Sequence, residues 1–347
     1  MIKKIQQDFS YYSHEFKDNY RKGVHRLRTI LASRAQAQAF VSNAGGVAVV
    51  LGYEPSAPDK NAQELYALLA ASPYIDDAVQ TFLGSIYEAG AESQDAMYSD
   101  SARCLEILHD PVMARAAGAG AVSAGKWIAT LAGQSCNLYR DMNAVAASDI
   151  AMTAVAASET AMEAVISSTI ALNAVAASKT AMTAVAANET AMVAVAASRV
   201  AMSAIIGNST ALNAVVTSSV AMAAVIGNST ALNAVVSSQT AMAAVAASST
   251  ALSAIAASTT ALDALYAKKK RMSGASASLS GKFIILQISN DNAFDTSQYG
   301  YATLSDGSKP KWDSYKDKYA YFKQYKKIAT YMKNDTDSND WIDYFQC

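Results

Sequence analysis

The chain has 347 residues, 52% of them hydrophobic, and its formal net charge is −1. This near neutrality gives no indication of a nucleic-acid partner. No run of about 18 strongly apolar residues occurs, so no membrane insertion is expected. The start MIKKIQQDFSYY lacks the apolar core of a signal peptide, which predicts synthesis in a cytoplasm without export. Cys104, Cys136 and Cys347 show neither metal nor redox spacing, and no cofactor is expected.

Residues 1–140 are predicted to form a helical attachment domain. One helical pattern covers residues 1–42, with aromatic residues at three- and four-residue spacings. Further helices are predicted at about 61–69, 73–89 and 92–108. Another begins at Pro111 with Asp110 as its cap and continues through the small-residue segment 114–125 into the next region. Such a segment suits close contact between helices or between chains.

Residues 141–267 are built from ten-residue units without insertion or deletion, such as ALNAVAASKT and AMSAIIGNST. Numbered from Asp141, position 2 is always Met or Leu, position 4 is always Ala, and position 5 is Val, Ile or Leu. Until residue 260, position 8 is Ser or Asn and position 10 is β-branched. One unit cannot bury its own apolar side, so the units must stack on each other.

Three folds compete for this repeat: a coiled-coil helix, a stack of very short helices and a β-solenoid. A period of about 3.3 residues per turn is too short for a coiled coil, which needs 3.5. Very short helices are marginal and leave many end groups unpaired, although the residue at position 8 could cap them.

The alternation of even and odd positions and the β-branched position 10 favour the β-solenoid. In that fold the even positions face inward. Val at position 5 then faces outward, unless a turn breaks the alternation or a second chain covers it. We therefore predict a β-solenoid for the repeat, with the two helical alternatives left open.

The rest of the chain is predicted to be a hinge and a small tip domain. Residues 268–279 begin with Lys268, Lys269, Lys270 and Arg271 and continue with a Ser-rich stretch, which is typical of a basic, flexible hinge. Residues 280–347 are predicted to be an α+β domain with strands at 282–288 and 299–304 and a helix over 312–333. The predicted fold class of the whole chain is thus mixed α and β.

No arrangement of residues indicates catalysis or metal binding. His14, His25 and His109 lie in predicted helices without catalytic partners. Residues 335–340 are similar to the start of a calcium loop, but they lack its Gly and Glu. We therefore predict a protein without enzymatic activity and without a metal site.

Aromatic residues of the tip domain are the candidate binding residues. Trp312, Tyr315, Trp341 and Tyr344 could stack on sugar rings, which predicts a glycan contact at the tip. A small domain also needs aromatic side chains for its core and its interfaces, and for any single residue this structural role is the simpler interpretation.

The pattern A-[ML]-x-A-[VI]-x-x-[SN]-x-[TVI] resembles the decapeptide repeats of fibre, whisker and other tail-associated proteins of tailed bacteriophages. The resemblance covers roughly 130 residues. It implies a structural protein of a phage virion, made in the host cytoplasm and trimeric. Residues 1–140 would bind other virion proteins.

Two functions follow from these expectations. The first is a fibre or whisker component, a rigid spacer between a particle-attached base and a projecting tip. The alternative is a receptor-binding adhesin that recognises a host-surface glycan through its C-terminal domain. Both involve a homotrimer, because an outward Val at position 5 would leave an uncovered apolar ridge and because segment 114–125 suits contact between chains.

Overall fold

The computed structural model describes residues 2–17, 20–56, 59–87, 93–274, 277–289, 300–312, 317–334 and 341–347. The contacts of the chain divide it into two compact units, Met1–Val185 and Ala186–Cys347. The repeat contributes helices to both units. The four regions predicted from the sequence follow a different criterion, composition, and they stay a prediction.

Short helices form the part of the first unit that precedes the repeat. They are α1 (Ile2–Lys17), α2 (Tyr20–Ala32), α3 (Arg34–Val41), α4 (Ala44–Leu51), α5 (Lys60–Ala70), α6 (Ile75–Ile86), α7 (Gln94–Tyr98), α8 (Ser101–His109), α9 (Pro111–Ala117) and α10 (Ala121–Leu131), followed by a 3₁₀ turn (Cys136–Leu138). The single helix predicted over residues 1–42 is wrong. Ser33 is extended and separates α2 from α3, and Gly23 of α2 passes so close to α1 that a Cβ would meet the Phe16 carbonyl oxygen at 2.1 Å.

Caps and buried donors hold these helices together. Asp110 accepts hydrogen bonds from the N–H groups of Val112 and Met113, both at 2.9 Å, so its predicted role as a cap is confirmed. Arg115 donates to the carbonyl oxygens of Leu51 and Tyr53 at 2.6 and 2.9 Å. These bonds satisfy carbonyl groups at the end of α4 that the helix itself leaves unpaired.

The small residues of segment 114–125 pack against the first repeat units of the same chain. A Cβ at Gly125 would approach backbone atoms of Asp141 and Met142 to 2.4 Å. The carbonyl oxygen of Gly118 accepts a hydrogen bond from Ser168 Oγ at 2.7 Å. Close packing between helices of one chain therefore accounts for this segment, and it no longer argues for contact between chains.

The repeat is a stack of short helices, so the β-solenoid prediction is wrong. Its helices are α11 (Met142–Ala147), α12 (Asp149–Ala157), α13 (Glu159–Ser167), α14 (Thr169–Ala177), α15 (Lys179–Ala187), α16 (Glu189–Ala197), α17 (Arg199–Ile206), α18 (Ser209–Thr217), α19 (Ser219–Gly227), α20 (Ser229–Ser237), α21 (Gln239–Ala247), α22 (Ser249–Ala257) and α23 (Thr259–Tyr266). From α12 on, each helix begins at position 9 of one unit and ends at or next to position 7 of the following unit.

Burial follows a helical period and not the alternation of a strand. Positions 2 and 5 are buried in every unit, position 1 is a buried Ala from residue 151 on, and position 6 is buried in most units. These four positions lie within about 140° of each other on a helix that turns 100° per residue, so they form one inward face. Position 4, expected to face the core, is half-buried in most units, and Val at position 5 faces inward.

The residue at position 8 is a helix cap and not a core residue. Ser248 is extended, and its Oγ accepts from Ala251 N–H at 3.2 Å, while its own N–H donates to the Val245 carbonyl oxygen at 3.0 Å. Asn228 caps α20 in the same way, through Thr230 N–H and Ala231 N–H. The end groups that made two-turn helices improbable are therefore paired, which is why the stack is possible.

Three consecutive helices form one layer of the stack. In the second unit α16 packs on α19, α17 on α20 and α18 on α21, and in the first unit α11 packs on α14. The helix axes of α16 and α17 differ in direction by 101°, and those of α18 and α19 by 94°. Ser218 Oγ donates to the Ala186 carbonyl oxygen of the preceding layer at 2.5 Å, and Ser248 Oγ donates to that of Val216. One turn of the stack thus takes thirty residues.

Because Val at position 5 is buried in this stack, the apolar ridge that suggested a trimer does not exist.

Within the described residues no single helix is long and apolar enough to cross a membrane. Five bent pairs of consecutive repeat helices reach the required length and composition only when taken together.

A six-stranded antiparallel sheet follows the stack in the second unit. Its strands are β1 (Lys270–Ser273), β2 (Ser278–Ser289), β3 (Gly300–Leu304), β4 (Lys311–Trp312), β5 (Ala329–Lys333) and β6 (Trp341–Gln346), in the spatial order β1-β6-β2-β5-β3-β4, and α24 (Ala320–Tyr325) precedes β5. The strand predicted at 282–288 lies within β2, and the described part of the one predicted at 299–304 is β3. The helix predicted over 312–333 is wrong, since within the described residues 317–333 only α24 is helical and Ala329–Lys333 is a strand. Part of the predicted hinge is β1.

Candidate functional site at the end of the repeat

Of the four candidate glycan-binding residues, the two whose side chains the structure describes, Trp341 and Tyr344, do not share one surface. The backbone of Trp312 belongs to β4 and pairs with Gly300, and Tyr315 lies outside the described residues. Trp341 and Tyr344 both belong to β6, but they are three residues apart and face opposite sides of the sheet. The Tyr344 ring is buried, 5.1 Å from that of Phe283. The calcium-like residues 335–340 also lie outside the described residues.

A buried carboxylate marks the junction between the last repeat helix and the sheet. The side chain of Asp343 is 0% exposed and lies on the face of β6 that packs on α23. Arg271 of β1 donates to both of its oxygens, from Nε at 2.6 Å and from Nη2 at 2.8 Å. Lys269 Nζ lies 2.8 Å from Oδ2. Two cations therefore compensate one carboxylate that has no contact with solvent. We name this cluster of Asp343, Arg271 and Lys269 the junction cluster.

Aromatic rings enclose the junction cluster. The guanidinium of Arg271 lies 3.6 Å from the centroid of the Trp341 ring, and Lys269 Nζ lies 3.6 Å from that of Tyr266. The hydroxyl of Tyr266, the last residue of α23, donates to Gln287 Oε1 at 2.9 Å. Cation–π contacts of this kind stabilise charges that are partly removed from water. The face of Trp341 that carries Arg271 is therefore occupied by the protein itself.

A second contact joins α23 to Tyr319, the residue that precedes α24. The Tyr319 hydroxyl donates to Asp263 Oδ1 of α23 at 2.5 Å, and the Tyr319 ring packs edge-on against that of Tyr266 at 5.8 Å. Burial and the hydrogen bond to Asp263 raise the pKa of Tyr319. This hydroxyl therefore stays protonated and serves as a donor.

All four residues of the basic run after the repeat have partners within the chain. Lys268 Nζ bonds to Ser237 Oγ at 2.6 Å, and Lys270 Nζ bonds to Gln346 Oε1 at 2.6 Å. Lys269 and Arg271 belong to the junction cluster. The basic run thus attaches the sheet to the stack. Because its side chains are paired within the chain, a structural role at the end of the repeat explains the run better than binding of external phosphates.

The junction cluster has the chemistry of a structural ion-pair network. Its carboxylate is held by two cations, and the Tyr266 hydroxyl lies 3.3 Å from Oδ2. Elsewhere, His109 ends α8 beside the cap Asp110, and no group of three or more His, Cys, Asp or Glu side chains in the described ranges could hold a metal ion. Sequence reasoning missed Asp343, although a lone Asp inside the apolar run WIDYFQ is a signal for a buried, paired charge.

The comparisons with known proteins add no family. No protein-family model matches the chain, and no curated protein is similar to it at a significant level.

The junction cluster makes the stability of the second unit depend on pH. Burial by itself raises the pKa of Asp343, but the hydrogen bonds from Arg271 and Lys269 outweigh it and hold the pKa below its ordinary value. A carboxyl with a lowered pKa stabilises the fold above the ordinary value of about 3.9. This stabilisation is lost as the pH falls through the lowered value.

We expect Asp343→Asn to lower the free energy of unfolding at neutral pH by about 1 to 3 kcal/mol, since both cations lose their counter-charge. The decrease should vanish in acid, where the wild-type carboxyl is itself protonated. The matched control is Asp306→Asn, because Asp306 forms an exposed ion pair with Lys327 in the same sheet region. Thermal unfolding at several pH values measures both, and equal effects of the two changes would show that the junction cluster does not hold the sheet.

Proposed function

We propose that this chain is a structural protein without enzymatic activity, in which the repeat is a rigid spacer that carries the sheet. The observation that supports this proposal most directly is the junction cluster. The chain passes from Tyr266 at the end of α23 to Lys270 at the start of β1. Lys269 and Arg271 of this connection pair with the buried Asp343 of β6, and the Tyr266 hydroxyl of α23 bonds to Gln287 of β2. A stack that ends in a rigid junction transmits its orientation to the domain at its end.

The distribution of constant and variable positions supports the same role. Positions 1, 2, 5 and 8, which hold nearly the same residue types in every unit, form the inward face and the helix caps. The exposed positions 3 and 9 vary in size and charge from unit to unit, and exposed position 7 holds only small uncharged residues. A site repeated on every unit would need a constant exposed residue, whereas a spacer needs only a constant interior.

The resemblance of the repeat to decapeptide repeats of phage tail proteins leads us to propose a virion as the place of this spacer. Residues 1–140 would attach it to other virion proteins. Gold-labelled antibodies against residues 268–347 should then bind projections of the purified phage particle. Particles that carry none of the protein would contradict this placement.

A deletion tests the spacer role. Removing residues 231–260 takes out one complete turn and joins Thr230 to Ala261 in the original phase of the repeat. If the repeat is only a spacer, one complete turn can be removed without changing how the remaining units pack. We therefore expect the shortened protein to keep one cooperative unfolding transition and the protected amides of β2 and β6. Hydrogen exchange followed by mass spectrometry measures this. Loss of protection in the sheet would show that the removed units do more than separate the ends.

The matched control removes a comparable length out of phase. Deleting residues 231–255 shifts the remaining units by five positions and places Ala257 and Thr260 where the inward face needs residues such as Leu and Val. We expect this variant to lose the protection of the sheet as well as that of the stack. If both deletions behave alike, the phase of the repeat is not what supports the sheet.

A further inference from the structure

The second unit has a groove between two stacked helices on one side of the stack. The groove has a volume of about 540 Å³ and lies between α16 and α19. Most of its lining is small and apolar, namely Val193, Ala197, Val220, Ala223, Ala224 and Gly227. Its polar lining residues are Glu189, Ser219 and Asn228. Val193 stands on the ridge of α16 and is 55% exposed, although every other unit has Ala or a polar residue at this position.

We propose that this groove is the surface through which two copies of the chain pair about a two-fold axis. The proposal does not depend on the spacer role. It replaces the expectation of a trimer, whose two structural reasons were an outward Val at position 5 and the segment 114–125. Both of these are buried within the chain.

Charge complementarity identifies the second copy as the occupant. Between Arg199 and Asp263 the sequence contains no Asp, Glu, Lys or Arg, so the α19 side of the groove offers no partner for a charged ligand, and Glu189 is the charged residue of its lining. A charged surface packed against it would lose hydration without compensation. The same segment of a second copy is uncharged, and its ridges repeat with the same helix-to-helix spacing, so the ridges of one copy match the grooves of the other over successive layers.

The charges next to the groove favour an antiparallel arrangement. Glu189 is the first residue of α16, Arg199 follows its end after one residue, and Val193 lies close to the midpoint between them. If two α16 helices pack antiparallel, Val193 meets Val193 of the other copy near the axis. Glu189 of each copy then lies beside Arg199 of the other, which forms two equivalent ion pairs. A two-fold interface is self-complementary in this way.

Sedimentation equilibrium of the full chain at micromolar concentration tests the proposal. We expect a mass of two chains for the wild type. Val193→Glu should raise the dissociation constant by about tenfold or more, because it places two like charges near the axis. Asn213→Glu is the matched control: Asn213 is exposed at the same position of α18, on another side of the layer, and its replacement should leave the mass unchanged.

Exchanging the charges of Glu189 and Arg199 distinguishes a loss of pairing between copies from a loss of folding. Glu189→Arg and Arg199→Glu should each weaken the pairing, because each brings like charges together at both ion pairs. The double variant should restore it, because the pairs are re-formed with reversed polarity. A wild type that sediments as one chain, a dimer that tolerates Val193→Glu, or a double variant that pairs no more tightly than the single ones would each overturn the proposal.

Discussion

Replacing Val215 by Asp should destabilise the second unit by about 4 kcal/mol, since it buries a carboxylate without a partner. Val215 occupies position 5 of its unit, lies in α18 and is 2% exposed. The layers above and below fill the inside of the stack, so the new charge has no path to water. Chemical denaturation followed by circular dichroism measures the loss.

The control for this prediction is two residues away. Asn213→Asp introduces the same side chain at exposed position 3 of α18, where it should change the free energy of unfolding by less than about 0.5 kcal/mol. The pair distinguishes a helix from a strand, because in a strand residues 213 and 215 face the same side. Similar effects of the two changes would therefore contradict the helical face defined by positions 1, 2, 5 and 6.

Replacing Gly125 by Ala should destabilise the first unit by about 2 to 3 kcal/mol, although Ala favours helices. A Cβ at this position meets the backbone of Asp141 and Met142 at 2.4 Å, and backbone atoms cannot rotate away as a flexible side chain could. Helix α10 would have to move away from the first repeat unit. The expected result is a lower thermal midpoint with α11 exchanging its amide hydrogens faster.

Gly227→Ala is the matched control. Gly227 is the last residue of α19, and a Cβ at this position would have no neighbouring atom within 4 Å, so the replacement should be neutral or stabilise the helix by up to about 1 kcal/mol. A first unit that tolerates Gly125→Ala would show that α10 does not pack on the repeat through its glycine.

The sequence indicated the helix caps of the stack, but it did not indicate that three helices form one turn. Ser or Asn at position 8 followed by an Ala-rich stretch is a capping pattern, and it correctly describes each helix start. The alternation of even positions concealed this pattern. Leu or Met at position 2 is buried, as a strand would also require, whereas Ser or Asn at position 8 serves as a helix cap. A turn of thirty residues cannot be recognised in a sequence whose units repeat every ten residues.

The junction cluster shows a different limit of sequence reasoning. A lone Asp in an apolar strand is a signal for a buried pair, but the partners of Asp343, Lys269 and Arg271, are more than seventy residues away in the chain. Their pairing depends on β1 lying beside β6, an order that strand patterns alone do not give. The same holds for Tyr344, whose place in the core follows from the register of β6 on β2.

Distances between spin labels test the central claim, that three short helices form one turn of the stack. One doubly labelled variant carries nitroxides at Asn213 and Ala243, thirty residues apart, and the other carries them at Asn213 and Asn233, twenty residues apart. The stack predicts that the first pair is closer, at about 10 Å between neighbouring helices of adjacent layers, because residue 233 lies on another side. In a β-solenoid with one unit per coil, or in a continuous helix, distance grows steadily with separation. A shorter distance for the pair twenty residues apart would therefore contradict the three-helix turn.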